Sequence, residues 1–447
     1  MRFVQSRRPA WALVAVAGSL AVTTACSAGS LRGGGDSGGD SGGKVELSFL
    51  VDNADNTVKT AQQLAKDFTA ANPNITVKVD TRPGGSDGDN LVKTRLSTGD
   101  MSDVFEYNSG SLFQAIKPQQ NLVPLTGESW SGDLEPTFKT TVSVGNEVYG
   151  SPYGSFFAGA ILYNRKIYDK LGLQVPKTWD EFMKNNAAVS KAGLDPVIQT
   201  YGETWTSQLF VLGDFHNVAV KDPQWAQKYT ANQVKFATDP NALKGFQRLQ
   251  QVKEAGYLNK DFASAKLNDG LKALGEGKGA HYPMLTGSVP GLYDLVPSAK
   301  QDVGVFPIPG DDAATNGLTV WSPAAVYIPK TTEGAKLDAA KKFVAFLASP
   351  AGCASQLKAA PPTGPYAVKT CKLPADVPQV LKDEQTYFDK PNGTTPALEF
   401  LSPIKGPALE QLTVEVGSGI RPAKSGAARY DEDVKKQAQQ LGLKGWS

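Results

Sequence analysis

The segment from residue 148 to 182 constrains the fold of this chain most, because it places a loop, a strand and two helix boundaries in succession. A loop broken by glycine and proline comes first, and the apolar run at 160–163 then predicts a buried strand. A short helix is expected to end at Gly172, since glycine is favoured just beyond a helix. Thr178 and Glu181 have the spacing of a capping box, which predicts the start of another helix. This order of elements favours an α/β protein.

Strands and helices also alternate near the start of the chain. Period-two patterns predict strands over 45–51, 75–79 and 103–105, with helical spacing between them. Such an order predicts a parallel, doubly wound sheet, in which ligands bind beyond the carboxyl ends of the strands. The loops at 52–56 and 106–108 follow two of these ends. We therefore expect them to lie together at one edge of a cleft.

The length and composition indicate a soluble protein with more than one domain. The chain has 447 residues, which exceeds the usual size of a single domain. Its residues are 40% hydrophobic and 20% charged, as is ordinary for a globular protein that buries a large core.

The amino-terminal residues have the pattern of an export signal. Three arginines precede the apolar run Trp11–Val22, which is too short to span a bilayer, and small residues follow it up to Ala25. Cys26 resembles the cysteine of a lipobox, with Thr23 where leucine is usual. Residues 1–25 are therefore predicted to be a lipoprotein signal peptide, with a lipid on Cys26 that anchors the exported protein to the outer face of the cytoplasmic membrane. The alternative is an ordinary signal peptide followed by an incidental cysteine.

The charge balance argues against a nucleic-acid partner. The full chain has a formal net charge of +2, and removal of the three signal-peptide arginines changes it to −1. The basic character therefore belongs to the predicted signal peptide. Residues 26–43 are rich in glycine and serine and cannot bury apolar surface, so they are predicted to form a flexible tether.

Two further cysteines, Cys353 and Cys371, lie 18 positions apart. In an exported protein, such a pair favours a disulfide bond. Two separate buried thiols are the alternative.

The 148–182 segment closely resembles the signature of family 1 extracellular solute-binding proteins of ABC importers. The matching features are a G-x-P loop at 150–152, an apolar strand ending in Tyr163 and Asn164, and a P-x-T-W-x-E helix start at 176–181. They follow one another at the family's spacing.

Shorter segments elsewhere are also similar to that family. Residues 99–105 resemble its G-D-x-P-D-V turn, with Ser102 at the usual proline, and residues 271–287 resemble its G-K-A-A-M-x-x-x-G segment. Ser288 stands where many sugar binders have tryptophan. Residues 319–330 resemble the return of the chain to the first lobe.

The resemblance implies an α/β fold of the two-lobed periplasmic-binding-protein type (type II), with doubly wound sheets, a hinge and a central cleft. Lobe I is expected to comprise residues 44–155 plus 322–362, and lobe II residues 156–321 plus 363–447. The implied function is to capture a sugar or oligosaccharide in the cleft and to deliver it to the membrane permease of an ABC transporter. The protein is expected to be a monomer without enzymatic activity, cofactor or metal.

Candidate ligand-binding residues are the polar and aromatic side chains in loops and at strand ends. Aromatic rings pack on the C–H face of a sugar while its hydroxyls seek Asp, Asn and Glu, so this mixture suits a carbohydrate. The candidates are Asp52, Asn53, Asp55, Glu106, Tyr107, Asn108, Tyr153, Phe156, Glu203, Trp205, Trp321 and Tyr366. For each aromatic residue, the alternative is packing in the core.

A glycan-cleaving enzyme is the main alternative from another functional class. Asp52, Asp55, Glu106 and Glu203 could face one cleft and supply an acid and a base. Carboxylates also bind sugar hydroxyls, and the family resemblance favours that use. A third hypothesis keeps the fold but replaces the sugar by a polyamine, a peptide or an anion.

Hydrolase and metal chemistry are disfavoured by the scarcity of histidine. Residues 84–88 fit the G-x-S-x-G pattern and follow a predicted strand. A catalytic triad needs a base, however, and the chain has only two histidines, His216 and His281. The same scarcity argues against a zinc or copper site.

Acylation of Cys26 can be tested directly. We expect wild-type protein to fractionate with membranes and the Cys26→Ser variant to be released, because diacylation supplies two buried chains, enough for stable anchoring. Fractionation of the native host, followed by immunoblotting, measures this. A Cys26→Ser variant that stays as firmly in the membrane fraction as wild type would show that the lipid prediction is wrong.

Overall fold

The computed structural model describes residues 44–446, so the predicted signal peptide, tether and Cys26 lie outside the described residues. The strands, in chain order, are β1 (Val45–Asp52), β2 (Ile75–Arg82), β3 (Val104–Tyr107), β4 (Ser143–Val144), β5 (Glu147–Val148), β6 (Ser151–Tyr153), β7 (Phe157–Asn164), β8 (Asp195–Val197), β9 (Gly279–Leu285), β10 (Val303–Pro307), β11 (Leu318–Trp321), β12 (Ala324–Tyr327) and β13 (Thr394–Pro396).

The helices surround two larger sheets. In the first half of the chain they are α1 (Asp55–Ala71), α2 (Gly85–Thr98), α3 (Ser111–Ala115), α4 (Pro118–Asn121), α5 (Pro136–Thr141), α6 (Arg165–Leu171), α7 (Trp179–Lys191), α8 (Leu209–Leu212), α9 (Phe215–Ala219) and α10 (Trp225–Thr230). The remaining helices are α11 (Lys244–Glu254), α12 (Leu267–Gly275), α13 (Val289–Leu295), α14 (Ala299–Asp302), α15 (Gly334–Leu347), α16 (Pro350–Ala359), α17 (Gln379–Phe388), α18 (Leu398–Leu401), α19 (Leu409–Gly417) and α20 (Ala423–Gln440).

The first sheet has the order β2-β1-β3-β12-β6, in which β1 is parallel to β2 and β3, and β12 is antiparallel to β3 and β6. Helices α1 and α15 pack on it through an aromatic core. The ring of Phe343 lies edge-on to Phe49 and Phe68, with centroid distances of 5.3 and 5.1 Å. The predicted parallel arrangement of the first three strands is therefore present, and their carboxyl ends share one edge.

The second sheet has the order β13-β11-β7-β9-β8, with β10 also paired to β7. Its central strand β7 is the apolar strand expected within the 148–182 segment. The neighbours β9, β10 and β11 all run antiparallel to β7, whereas β8 is parallel to β9 and β13 is parallel to β11, so this sheet is mixed. The strands come from distant parts of the chain, which a pattern read along the sequence does not reveal.

The helix boundaries after β7 follow the sequence signals. Asn164 ends the strand, and its side chain accepts a hydrogen bond from the Ile167 amide at 3.1 Å to cap α6. Gly172 follows α6 with a φ of +64°, as expected of a C′ glycine. The Thr178 hydroxyl accepts a hydrogen bond from the Glu181 amide at 3.3 Å and caps α7.

Two crossings between the lobes run side by side and form a hinge. Ser155 bridges Tyr366 in antiparallel pairing, and the Phe156 amide donates to the Pro365 carbonyl at 2.9 Å. The Thr363 amide donates to the Ser155 hydroxyl at 3.0 Å. The two segments of the hinge are thus joined by one backbone–backbone bond and one bond from a backbone amide to a side chain.

The carboxyl-terminal side of the hinge contacts residues of the predicted lobe I. Residues 365–371 lie within 363–447, the range expected of lobe II, but the Glu135 amide donates to the Ala367 carbonyl at 3.0 Å. A disulfide bond joins Cys371 to Cys353 on α16, with 6.1 Å between the two Cα atoms. The segment is therefore held by hydrogen bonds and a covalent link to residues of the predicted lobe I.

A buried carboxyl group lies behind the hinge. Glu384 on α17 is fully buried, and neither of its oxygens has a hydrogen-bond partner among the described residues. A Cβ atom placed on Gly364 would lie 2.8 Å from Glu384 Oε2 and 2.3 Å from the Phe156 carbonyl oxygen, so only glycine fits there. Burial raises the pKa of Glu384 to about 8, with the Thr286 hydroxyl opposing the shift and Asp383 reinforcing it.

None of the helices within residues 44–446 combines the length and the apolar character needed to cross a membrane.

The buried carboxyl of Glu384 predicts that the stability of the protein depends on pH. The pKa of Glu384 is raised in the folded state from its usual 4.5, so the folded protein binds the extra proton between about pH 4.5 and 8. Its contribution to stability therefore falls as pH rises through that window. We expect Glu384→Gln to raise the melting temperature at pH 8 by roughly 2 °C or more and to leave it closer to wild type at pH 5.

The measurement is thermal unfolding of both proteins from pH 5 to 9, with Glu46→Gln as the matched control. Glu46 is an exposed residue on β1. If the control and Glu384→Gln have the same pH dependence, the buried carboxyl does not titrate as described.

Candidate functional site

A cleft of about 500 Å³ opens where the carboxyl ends of the first sheet meet the hinge. Lobe I supplies polar side chains from the loop after β1, the first turns of α1 and the end of β3. The hinge supplies residues 360–363 and Ser322, and the second sheet supplies Phe157 and Trp321. Polar groups therefore line one side of the cleft and aromatic rings the other.

Glu106 is the most constrained charged group in the cleft. Its side chain is 4% exposed, and its Oε2 atom accepts hydrogen bonds from Arg82 at 3.1 Å and from the Asp52 amide at 3.2 Å. The guanidinium of Arg82 also donates to the Glu106 and Pro83 carbonyls, each at 3.2 Å. Both bonds to the carboxylate end on Oε2, and no described hydrogen bond ends on Oε1 of this cleft-lining residue.

The protonation of Glu106 depends on opposing effects. Burial raises the pKa of Glu106 to about 7, Arg82 opposes the shift, and the nearby Asp52 carboxylate reinforces it. Glu106 therefore gains most of its negative charge only near neutral pH.

The aromatic side of the cleft is a stacked pair. The rings of Phe157 and Trp321 lie 6.0 Å apart at an interplanar angle of 15°. The indole Nε1 of Trp321 donates to Glu399 Oε1 at 2.5 Å, and Lys405 pairs with the other oxygen at 2.9 Å. A Cβ atom on Gly159 would lie 2.7 Å from the Trp321 ring, so glycine at this position gives the indole its space.

The hinge side of the cleft is held by lobe I contacts. The Tyr153 hydroxyl donates to the Thr57 carbonyl at 2.5 Å, and Gln356 accepts from the Gly154 amide at 2.7 Å. Ser322 lines the cleft, and its hydroxyl is buried without a hydrogen-bond partner among the described residues.

Much of the chain matches the sequence model of a known family. The model of the bacterial extracellular solute-binding protein family matches residues 54–352, which is more than half of the chain. The chain belongs to this family. The resemblance found in the 148–182 segment is confirmed, since that segment lies within the match.

Curated relatives of this solute-binding protein include sugar binders. The multiple sugar-binding protein of Streptococcus mutans is 28% identical over 298 residues, covering 64% of this chain and 67% of the relative. The melibiose/raffinose/stachyose-binding protein of Bacillus subtilis is 25% identical over 365 residues, covering 76% of this chain and 80% of the relative.

Solved structures support the two-lobed fold. The ligand-free form of RafE from Streptococcus pneumoniae superposes with a TM-score of 0.74 at 20% identity, covering 90% of this chain and 99% of that one. RafE in complex with raffinose superposes with a TM-score of 0.67 at 20% identity, covering 89% of this chain and 100% of that one. At this identity the likeness establishes the fold of the solute-binding protein and leaves its ligand to other arguments.

The structure brings half of the predicted site residues together. Lining the cleft of this solute-binding protein are Asp52, Glu106, Asn108, Tyr153, Trp321 and Tyr366. The loops after β1 and β3 meet at one edge because both strands are parallel, as the sequence predicted.

Tyr107 and Phe156 lie in the core instead of lining the cleft, and each is 0% exposed. Tyr107 follows Glu106 on β3, and successive residues of a strand point to opposite faces, so both cannot face the ligand. The ring of Tyr107 instead lies under Arg82, 5.6 Å from its guanidinium carbon. Phe156 also lies in the core, where its ring packs on the ring of Phe388.

Four other predicted residues lie outside the cleft lining. Asn53 is exposed in the loop after β1, Asp55 is exposed at the start of α1, and Glu203 and Trp205 are half-buried in lobe II. The Trp205 indole donates to the Glu203 carboxylate at 3.3 Å. The role of these four residues in ligand binding stays a prediction.

Sequence reasoning missed several lining residues. Asn56, Thr57 and Thr60 are on the first turns of α1, where helical spacing places 56 and 60 on one face. Glu399 and Phe400 follow β13, a strand too short to be recognised by pattern. Other missed residues are Phe157 and Gln356.

The two histidines are structural. His216 bonds to the Thr395 hydroxyl at 2.9 Å, and His281 bonds to the Tyr168 hydroxyl at 2.8 Å. Burial lowers the pKa of His216 to about 4 and that of His281 to about 3. Both are in lobe II, away from the G-x-S-x-G pattern on lobe I. Among the described residues, no three potential ligands cluster as a metal site.

Proposed function

We propose that this protein captures a sugar or oligosaccharide in the cleft and delivers it to the permease of an ABC importer. The observation that carries the proposal is the stacked Phe157–Trp321 pair facing the carboxylates of Asp52 and Glu106. The rings offer a flat apolar surface to the C–H face of a sugar, and the carboxylates accept its hydroxyls. The names of the sugar-binding relatives support the same class of ligand.

We further propose that the protein acts as a lipid-anchored monomer, without enzymatic activity, whose lobes close around the ligand. Ligand contacts made only in the closed state would shift the equilibrium between open and closed forms. The paired crossings at Ser155 and Tyr366 would serve as the hinge. Incubation with oligosaccharides tests the absence of catalysis, since shorter products would overturn it.

A cationic ligand such as a polyamine is the second candidate. It is favoured by the three carboxylates that line the cleft, on Asp52, Glu106 and Glu399. The aromatic pair accommodates such a ligand as well, through cation–π contact.

A thermal-shift screen tests the proposed function. We expect at least one neutral sugar among galactose, melibiose, raffinose, stachyose, maltotriose, xylotriose and chitotriose to raise the melting temperature. A ligand present at 100 times its Kd raises the free energy of unfolding of the protein by about 2.7 kcal/mol. Stabilisation by spermidine with no response to any sugar would favour the second candidate and overturn the first.

The aromatic pair predicts a large effect of one substitution. We expect Phe157→Ala to weaken binding of the best sugar by about 30- to 1000-fold, since a central aromatic contact contributes roughly 2–4 kcal/mol. Calorimetry measures the Kd, and unfolding of the ligand-free variant checks that the fold survives.

Trp205→Ala is the matched comparison, because Trp205 is an aromatic residue of lobe II outside the cleft lining. A loss of affinity in both variants would place Trp205 in the closed site. An unchanged Kd in Phe157→Ala would remove the aromatic pair from the site.

A further inference from the structure

The charged residues that line the cleft all have the same sign. Within the described residues, the cleft lining contains Asp52, Glu106 and Glu399 and no lysine, arginine or histidine. The shared negative sign of these charges bears on which sugars the site accepts, an inference that rests on the proposed function.

Arg82 and Lys405, the cations that pair with two of these carboxylates, lie outside the cleft lining. Arg82 is 4% exposed, does not line the cleft and directs its guanidinium to Glu106 Oε2 and to two backbone carbonyls. Lys405 pairs with Glu399 from outside the cleft lining. A ligand therefore meets carboxylate oxygens, while the positive charges remain on the far side of them.

The acceptors that face the cleft require hydrogen-bond donors. No described hydrogen bond ends on Glu106 Oε1, and on Asp52 the Ala54 amide occupies only Oδ1. Sugar hydroxyls can donate to these oxygens. A uronate, sulfate or phosphate oxygen has no proton to give and would face another anion. The unpartnered Ser322 hydroxyl cannot neutralise that charge, because it contributes a single neutral donor.

We propose that the cleft selects neutral glycans and rejects glycans that carry uronate, sulfate or phosphate groups. Two like charges a few ångström apart repel each other, and the repulsion is stronger at a partly buried site than in water. A tenfold difference in Kd corresponds to about 1.4 kcal/mol, which a single such repulsion can supply. We expect an anionic form of a bound sugar to bind at least about tenfold more weakly.

The test compares three forms of one sugar by calorimetry at pH 8, beginning with raffinose. They are raffinose, raffinose oxidised to a carboxylate at the galactosyl C6, and the methyl ester of that acid. Where another neutral sugar gives the largest shift in the screen, its C6 acid and ester replace them. The ester keeps the added bulk without the charge, so it separates repulsion from steric exclusion. We expect the ester to bind within about threefold of the parent sugar and the acid to bind at least tenfold more weakly.

Two substitutions locate the cause in the cleft. Asp52→Asn removes a charge that lines the cleft, and we expect it to reduce the ratio of acid to ester Kd by about threefold or more. Asp100→Asn removes a charge from an exposed position outside the lining, and we expect it to leave the ratio unchanged. Using ratios makes the result independent of a general loss of affinity or stability.

The outcomes are distinguishable. Equal or tighter binding of the acid relative to the ester overturns the selectivity while leaving sugar binding intact. Equal effects of Asp52→Asn and Asp100→Asn also overturn it, since the discrimination would then not come from the cleft. If no neutral sugar binds, the proposed function fails, and this inference fails with it.

Discussion

The cleft depends on a buried ion pair between Arg82, at the end of β2, and Glu106, on β3. Removing two charges from water costs several kcal/mol each, and their attraction compensates only when further hydrogen bonds satisfy both groups. Here the Asp52 amide, at the end of β1, adds a bond to the same carboxylate oxygen, and two backbone carbonyls accept from the guanidinium. The pair therefore joins the ends of three strands and fixes the side of the cleft that belongs to lobe I. Loss of one partner would leave an uncompensated charge at that position.

The same pair limits what the cleft can present to a ligand. The guanidinium of Arg82 is already hydrogen-bonded within the protein. The group at the cleft is therefore the Glu106 carboxylate, an acceptor with a fixed position. Since the pKa of Glu106 is about 7, the acceptor is fully charged only above neutral pH. Sugar hydroxyls suit such a group because they donate to it without bringing a second charge into a partly buried site.

The sequence predicted the parts of the site that depend on local pattern. The loops after β1 and β3 could be placed together because parallel strands end at a common edge, and Asp52, Glu106 and Asn108 do line the cleft. The same strand geometry explains the misplacement of Tyr107, since the residue next to Glu106 must point away from it. Glu399 could not be predicted, because it follows the three-residue strand β13, whose pairing with β11 joins segments far apart in the chain. Long-range pairing of short strands leaves little periodicity in the sequence.

The two lobes contribute unequally to the cleft, and this inequality bears on how a ligand would close it. A contact that exists equally in the open and closed forms adds affinity without shifting the equilibrium between them. Most polar lining residues are on lobe I, whose geometry is fixed by the Arg82–Glu106 pair and by the disulfide-linked hinge segment. Under the proposed function, the differential contacts would then come from the second sheet and the segment after β13, through Phe157, Trp321, Glu399 and Phe400. Aromatic stacking on these residues would therefore govern closure, while the carboxylates of lobe I would determine which ligands are admitted.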